Sequence, residues 1–451
     1  MKRNLLGFVF PALFALVLAV TARAEIFIAN LTGAQEVPAV TTGATGYARI
    51  VLNADAGTIS YTVVFSGLSS TQTASHIHTG TIGNTGAVTI NFGAVGGTAG
   101  TISGSAAITA GQIATLRAHG FYVNVHSTNN PNGEIRGQLG IQRPLDYDGD
   151  GRTDFSVVRF PSGSSAPLTF WNLNSRGTVQ NAVWGDANRD IPAPGDYDGD
   201  GKTDIAVYRN GANNNGQGEF WILRSSDGNV QYYAWGVTDD VPVQRDYDGD
   251  GITDAAVFRY GAAATDVTGW YIRNSSTGTV RIEAFGLSGD SINSSDYPIP
   301  GDYDGDGKFD LAVYRVGQAP NNAFIIKRSS DNAVTYTPFG VFSTDYVVPG
   351  DYDGDGKFDL AVVRSSGTLT WWVLQSSTGT IRTTVFGNGN SDIPMQGDYD
   401  GDGRTDAGVY REGATAGAQN SFWVFRSLDN TSSTIPWGVR GDFPVNRFDV
   451  R

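Results

Sequence analysis

The chain has 451 residues, 40% hydrophobic and 17% charged, with 59 Gly, 23 Phe, 19 Tyr and 9 Trp, enough apolar mass for more than one core. A net charge of −14 excludes a broad basic surface for nucleic-acid phosphates, and the absence of cysteine excludes disulfides and thiolate metal sites. Stability must come from packing or from bound ions.

The first element is a leader. Lys2 and Arg3 precede an apolar run from Leu5 to Val20, and Ala22-Arg23-Ala24 places small residues at −3 and −1 of a cut before Glu25. The run of 16 residues is interrupted by Pro11, whereas a membrane span needs about 20. Residues 1–24 read as a secretory signal peptide, and no later stretch is apolar enough to cross a bilayer. The mature chain is expected outside the cell, at its surface or in the periplasm, as a monomer with no membrane span.

Residues 25–143 contain no Trp and are rich in Gly, Thr, Ala and Ile. Alternating stretches at 46–52, 58–65, 87–92 and 121–126 predict strands, and residues 109–117 supply the one plausible helical turn. A Greek-key-like β-sandwich is expected. All four histidines fall here: His76, His78, His119 and His126. His76 and His78 share one strand face and His126 ends another strand. Converging imidazoles would suit Cu or Zn, while the competing reading is a hydrogen-bonded polar sheet edge. The motifs LTGAQEVPAV (31–40), ASHIHTG (74–80) and GFYVNVHSTNNPNGEIRGQL (120–139) resemble the CHRD domain, first described in chordin. His76, His78 and His126 sit in those motifs, and His119 does not. Glu134 and Arg136, two apart on one strand, are expected to pair.

Only Ile141-Gln-Arg-Pro-Leu145 separates this half from residues 144–451, which repeat themselves. Asp-rich loops begin at Asp146, Asp196, Asp246, Asp302, Asp351 and Asp398, at intervals of 50, 50, 56, 49 and 47. Each unit runs loop, then strands such as 204–209, 220–226, 229–236 and 240–246, the make-up of a propeller blade. Six blades are expected, or seven if the terminal segment adds an incomplete one. That segment, DFPVNRFDVR, repeats the strand that precedes each loop and could close the ring on the first blade. Trp184, Trp235, Phe285, Phe339, Phe386 and Trp437 each precede a glycine, and a second ring set is expected at Trp171, Trp221, Trp270, Phe324, Trp372 and Trp423. Both sets read as filling between blades, with a sugar-binding row as the alternative. Arg159, Arg209, Arg259, Arg315, Arg364 and Arg411 are expected to pair across blades with Asp190, Asp240, Asp296, Asp345, Asp392 and Asp442, the alternative being a channel lining.

Each loop reads Asp-x-Asp-x-Asp-Gly-x-x-Asp. Four carboxylates so close repel unless a cation lies between them. Hard oxygens at positions 1, 3, 5 and 9, with the position-7 carbonyl, select Ca²⁺. The ligands so assigned are Asp146, Asp148, Asp150, Arg152 and Asp154; Asp196, Asp198, Asp200, Lys202 and Asp204; Asp246, Asp248, Asp250, Ile252 and Asp254; Asp302, Asp304, Asp306, Lys308 and Asp310; Asp351, Asp353, Asp355, Lys357 and Asp359; Asp398, Asp400, Asp402, Arg404 and Asp406. Strand flanks and an apolar position 12 (Val157, Val207) distinguish these loops from EF-hands. Six Ca²⁺ would bring the net charge from −14 to −2. The run resembles FG-GAP/VCBS-type repeats of bacterial exported proteins, similar to the calcium-loop blades of the integrin α propeller. That resemblance implies structural calcium and faces that bind proteins or glycans.

No nucleophile–base constellation is apparent: there is no cysteine and no Gly-x-Ser-x-Gly elbow. The expected function is a secreted, calcium-stabilised, non-catalytic binding or adhesion protein for an extracellular protein or polysaccharide. The alternatives are a Cu/Zn-binding protein or metalloenzyme using the histidines, and a lyase or hydrolase scaffold supported only by unassigned acids.

Overall fold

The computed structural model describes residues 24–445 except 54–55, 81–83, 118–119, 141–144, 162–166, 176, 212–215, 250, 290–295, 318–321 and 342–344. Residues 1–23 of the leader, His119, Asp250 and all of the linker but Leu145 lie outside the described residues. No helix among the described residues is long and apolar enough to cross a membrane.

The N-terminal unit is built from β1 (Ala24–Thr32), β2 (Thr45–Asn53), β3 (Thr58–Ser66), β4 (Gln72–Thr79), β5 (Val88–Gly93), β6 (Gly100–Ala107), β7 (Phe121–Ser127) and β8 (Ile135–Gln138). They form one antiparallel sheet in the order β5-β4-β7-β8-β1-β2-β3-β6. The sheet curls until its edge strands β5 and β6 lie side by side, so the two faces expected of a sandwich belong to one near-barrel. Leu31, Ile50, Val63, Phe65, Ile77, Val123, Val125 and Ile135 fill its interior. The one helix, α1 (Ala110–Arg117), starts where Thr109 and Gln112 cap each other: Thr109 N–H donates to Gln112 Oε1 (2.8 Å) and Gln112 N–H to Thr109 Oγ1 (3.3 Å).

The second unit is a six-bladed propeller of four-stranded antiparallel sheets. In the second blade, an inner strand Asp190–Pro192 precedes the acidic loop, followed by Ile205–Arg209, Gln217–Leu223 and an outer strand Val230–Val237. The first blade lacks a preceding inner strand and takes Asp442–Pro444 from the chain's other end, pairing it with Phe155–Arg159. The terminal segment thus completes blade one, and the count is six.

Register decides which rings are buried. Phe170, Phe220, Trp270, Phe324, Trp371 and Phe422 form the fully buried row. The next residue along each strand, Trp171, Trp221, Tyr271, Ile325, Trp372 and Trp423, lies opposite Val157, Val207, Val257, Val313, Val362 and Val409. The expected row mixed the two: Trp270 and Phe324 belong one residue earlier, on the opposite sheet face. Trp184, Trp235 and Trp437 do bridge blades, donating Nε1–H to the carbonyls of Trp221, Tyr271 and Trp171 at 3.1 Å.

The arginine–aspartate pairs form within a sheet, which corrects the expected pairing across blades. Arg209 on the second strand lies opposite Asp190 on the inner strand and donates Nε–H and Nη2–H to its two oxygens (2.7 and 2.8 Å), a geometry found in all six blades. The link across blades uses the same carboxylate. Gly185, at φ +100, turns the outer strand of blade one so that Asp186 N–H donates to Asp190 Oδ2 (2.6 Å). The aromatic–glycine dipeptide recurs because each following N–H must make this bond, as at Val237, Leu287, Val341, Asn388 and Val439.

Candidate functional site

In blades two to six the acidic loop connects the inner strand to the next strand, and in blade one it follows the linker. The position-1 carboxylate accepts the N–H groups of the glycines at positions 4 and 6, for example Gly199 (2.6 Å) and Gly201 (2.8 Å) on Asp196. Both glycines have φ between +73 and +94 in every copy, so position 4 demands glycine as firmly as position 6 does. The position-9 carboxylate accepts the N–H of the position-2 tyrosine, as from Tyr197 to Asp204 (2.8 Å). Its other oxygen accepts the N–H of a serine on the next hairpin: Ser175, Ser225, Ser275, Ser329, Ser376 or Ser427, at 2.6–2.7 Å. Sequence reading missed these serines, although each closes its strand at a fixed place in the repeat.

The loops also bind one another. The position-8 N–H of each donates to the position-1 carbonyl of the loop before it: Thr203 to Asp146, Thr253 to Asp196, Phe309 to Asp246, Phe358 to Asp302, Thr405 to Asp351 and Thr153 to Asp398, at 2.6–2.9 Å. Six units joined in a closed cycle of single hydrogen bonds must surround the axis, so the loops are the hub. Position 7 adds to this contact. The side chains of Ile252, Lys308, Lys357 and Arg404 lie over the position-4 glycines Gly199, Gly249, Gly305 and Gly354, where a Cβ would come within 2.9–3.0 Å of them.

Carboxylate oxygens of Asp146, Asp148 and Asp154, and of the corresponding acids in loops two and three, lie within 4.8 Å of one another; in loop four the set is Asp302, Asp304 and Asp306. Asp248 Oδ1 and Asp304 Oδ1 are buried with no hydrogen-bond donor. Burial pushes the carboxyl of Asp204 up to about 7, with Asp198 adding to the rise. Burial likewise raises Asp154, Asp351 and Asp406 to about 8. A carboxylate held this dry favours its proton unless a cation replaces it, so the donor set fits a hard divalent ion.

The N-terminal unit packs on the loop end of the propeller. Ile28, Gln35 and Gln138 share a cavity of about 30 Å³ with Asp146, Asp150, Gly201 and Gly401. Burial, then the nearby Asp196 carboxylate, pushes the Tyr47 hydroxyl up. The arginine–aspartate pairs lie at the far end of the second strands, five residues and about 16 Å from the last loop aspartate. The arginine side chains are 19–40% exposed there. Five lie over a half-buried ring: Arg159 on Trp171, Arg209 on Trp221, Arg259 on Tyr271, Arg364 on Trp372 and Arg411 on Trp423, at 4.1–5.2 Å.

The structure brings His76, His78 and His126 together. Ile77, Val123 and Val125 face the barrel core, so the alternation of β4 and β7 turns the histidines to the other face. His76 Nδ1 is 3.0 Å from His126 Nε2, and the three ligand nitrogens lie within 4.8 Å. Burial, then His126 and His78, lowers His76 to about 4. Glu134 does not pair with Arg136. It accepts hydrogen bonds from Ser69 N–H (2.7 Å), Thr42 Oγ1 (2.8 Å), Ser69 Oγ (3.0 Å) and Ser127 Oγ, which outweigh burial and hold it at about 2. Arg136 instead stacks on Tyr122, 3.5 Å from the ring centre.

A near-barrel joined to a six-bladed propeller with an acidic loop in every blade defines a two-module repeat protein. Residues 27–139 match the CHRD domain, and residues 146–207 and 351–409 match the FG-GAP-like repeat. The chain therefore carries a CHRD domain followed by FG-GAP-like repeats. No curated protein matches it. Solved structures similar to it include a mutant Aleuria aurantia lectin in complex with Fucα1-6GlcNAc, at 12% identity over 71% of this chain and 92% of that one, TM-score 0.37. A Bacteroides fragilis protein given as a 6-phosphogluconolactonase is 13% identical over 64% and 83%, TM-score 0.37. AofleA from Arthrobotrys oligospora is 12% identical over 59% and 83%, TM-score 0.35.

Proposed function

We propose that this chain is an exported, calcium-stabilised binding protein that recognises an extracellular protein or glycan through its propeller and performs no chemistry of its own. The observation that carries the reading is the sixfold recurrence of one acidic loop in a closed cycle, with converging, buried or half-buried carboxylates in loops one to four. Positions 1, 3, 5 and 9 would hold Ca²⁺, meeting oxygens such as Asp248 Oδ1 and Asp304 Oδ1 that lack a donor. An ion in each loop would lock a cycle in which every member hydrogen-bonds to the next.

The CHRD domain packs at the loop end, so the reading places the ligand at the opposite end. It repeats one unit, a guanidinium over an aromatic ring, in five of six blades. Such a unit offers a flat apolar surface beside hydrogen-bond donors, suited to a sugar ring or an acidic peptide.

The first test is the melting temperature of the full chain in calcium and after chelation. At free calcium ten times Kd each site adds about 1.4 kcal/mol, so six independent sites supply roughly 8. An unchanged melting temperature after chelation would remove the calcium part of the reading. A glycan and protein binding screen on calcium-loaded protein tests the rest. It is expected to return a ligand whose binding weakens in Trp221→Ala, and a ligand indifferent to that row would place recognition elsewhere.

A further inference from the structure

We propose that His76, His78 and His126 form a mononuclear site for a divalent ion of the copper–zinc class on the outer face of the CHRD sheet, separate from the acidic loops. Two of the rings are held as metal-ligating imidazoles are held. His78 Nδ1 lies 3.0 Å from Gly86 O and His126 Nδ1 lies 3.0 Å from Pro131 O. A carbonyl can only accept, so each Nδ1 carries the proton and each Nε2 keeps its lone pair. His78 is 9% and His126 8% exposed, so their orientation is set by packing as well as by these bonds. The His78 ring also stacks on Tyr122, with centres 4.9 Å apart and planes 6° from parallel.

The lone pairs converge on a place that the protein does not fill. His78 Nε2 is buried and meets no hydrogen-bond donor. His126 Nε2 accepts from His76 Nδ1, the sole donor that the cluster supplies to its two inward lone pairs. A purely structural polar cluster would satisfy both. An ion bonded to all three rings does so, with His76, the most exposed of the three, turning its ring from donor to ligand.

The donor set chooses the metal. Among the described residues the group contains imidazoles alone, with no carboxylate and no thiolate. Neutral nitrogen ligands favour Cu²⁺ or Zn²⁺ and discriminate against Ca²⁺, which takes oxygen. Three protein ligands leave a fourth coordination position, on the side of the more exposed His76, for solvent or a ligand.

The experiment uses the full chain in saturating calcium, so that the acidic loops are occupied. Metal-stripped protein is titrated with Cu²⁺ and, separately, Zn²⁺ by calorimetry, and the Cu²⁺ form is examined by electron paramagnetic resonance. One equivalent per chain is expected, with nitrogen couplings from three imidazoles. His78→Ala and His126→Ala are each expected to weaken binding at least about tenfold, with circular dichroism reporting that the fold is kept. No stoichiometric binding of either ion, or binding equal to wild type in both variants, overturns the proposal. Should a variant fail to fold, the wild-type spectrum decides: bound Cu²⁺ without imidazole couplings overturns it.

Discussion

Replacing Asp442 by alanine tests the seam of the propeller. Asp442 accepts Nε–H and Nη2–H of Arg159 at 2.7 and 2.9 Å and the N–H of Val439 at 2.9 Å, and its side chain is 1% exposed. A hydrogen bond to a charged group contributes about 1.5–3 kcal/mol. Arg159 is 40% exposed, however, and rehydrates when released, which discounts the ion pair. The expected loss is about 2–3 kcal/mol. Asp190→Ala removes the same set, Arg209 at 2.7 and 2.8 Å and Asp186 N–H at 2.6 Å, and should cost a similar amount. The two variants differ in topology. Asp190 lies in continuous chain, whereas Asp442 belongs to a three-residue strand held through Arg159, Val158 and Val157. Its loss therefore frays the joint at which the two ends of the ring meet. Urea unfolding in calcium measures the cost, and limited proteolysis with mass spectrometry locates the opening. Cleavage near residues 440–445 should appear in Asp442→Ala and not in Asp190→Ala. Equal resistance there, or a loss within about 0.5 kcal/mol of wild type, would refute the reasoning.

Gly199→Ala probes contact between neighbouring loops: φ is +75 and a Cβ would lie 2.9 Å from Ile252 Cγ1. It should destabilise by more than the roughly 1–2 kcal/mol of a left-handed alanine, whereas Gly228→Ala, at φ +68 with nothing within 4 Å, should show that penalty alone; equal losses in urea would mean that the loops do not pack as described. Glu36→Gln probes the CHRD unit. Burial, partly offset by Arg136 and the Asn124 hydrogen bond, raises the Glu36 carboxyl to about 7. A raised carboxyl stabilises the fold fully below its unfolded value of 4.5, and that contribution is lost as pH rises through 7. Glutamine has no such dependence, so the variant should exceed wild type at pH 8 by up to about 3 kcal/mol, and identical pH profiles of unfolding would contradict the assignment.

Much of this was legible in the chain. A period near 50 residues, strand patterns within it and a terminal copy of the inner strand lead to a propeller of six blades or seven, because a blade cannot bury its faces alone and must stack. The one helical turn expected, at 109–117, forms as α1 (Ala110–Arg117). Spacing also marked the acid positions, since oxygen ligands on a tight loop need alternate residues. The serines that brace position 9 were equally visible as a recurrence, but nothing local said that their N–H groups reach back 17–21 residues to a carboxylate.

The sequence by itself determined composition-level and periodic properties: an all-β chain, two modules, a propeller of six or seven blades and the residues able to meet a hard cation. These follow from local chemistry repeated along the chain. The tertiary structure decided what depends on register and closure. Side chains alternate along a strand, so a single-residue offset sends Trp270 and Phe324 to the opposite face from Trp221, and only strand pairing reveals it. The aspartate of each inner strand pairs within its own sheet yet accepts an N–H from the blade before, a double role set by where two sheets meet. His126 joins His76 from 50 residues away because β4 and β7 are neighbours, and a contact between distant residues is fixed by the sheet that carries both.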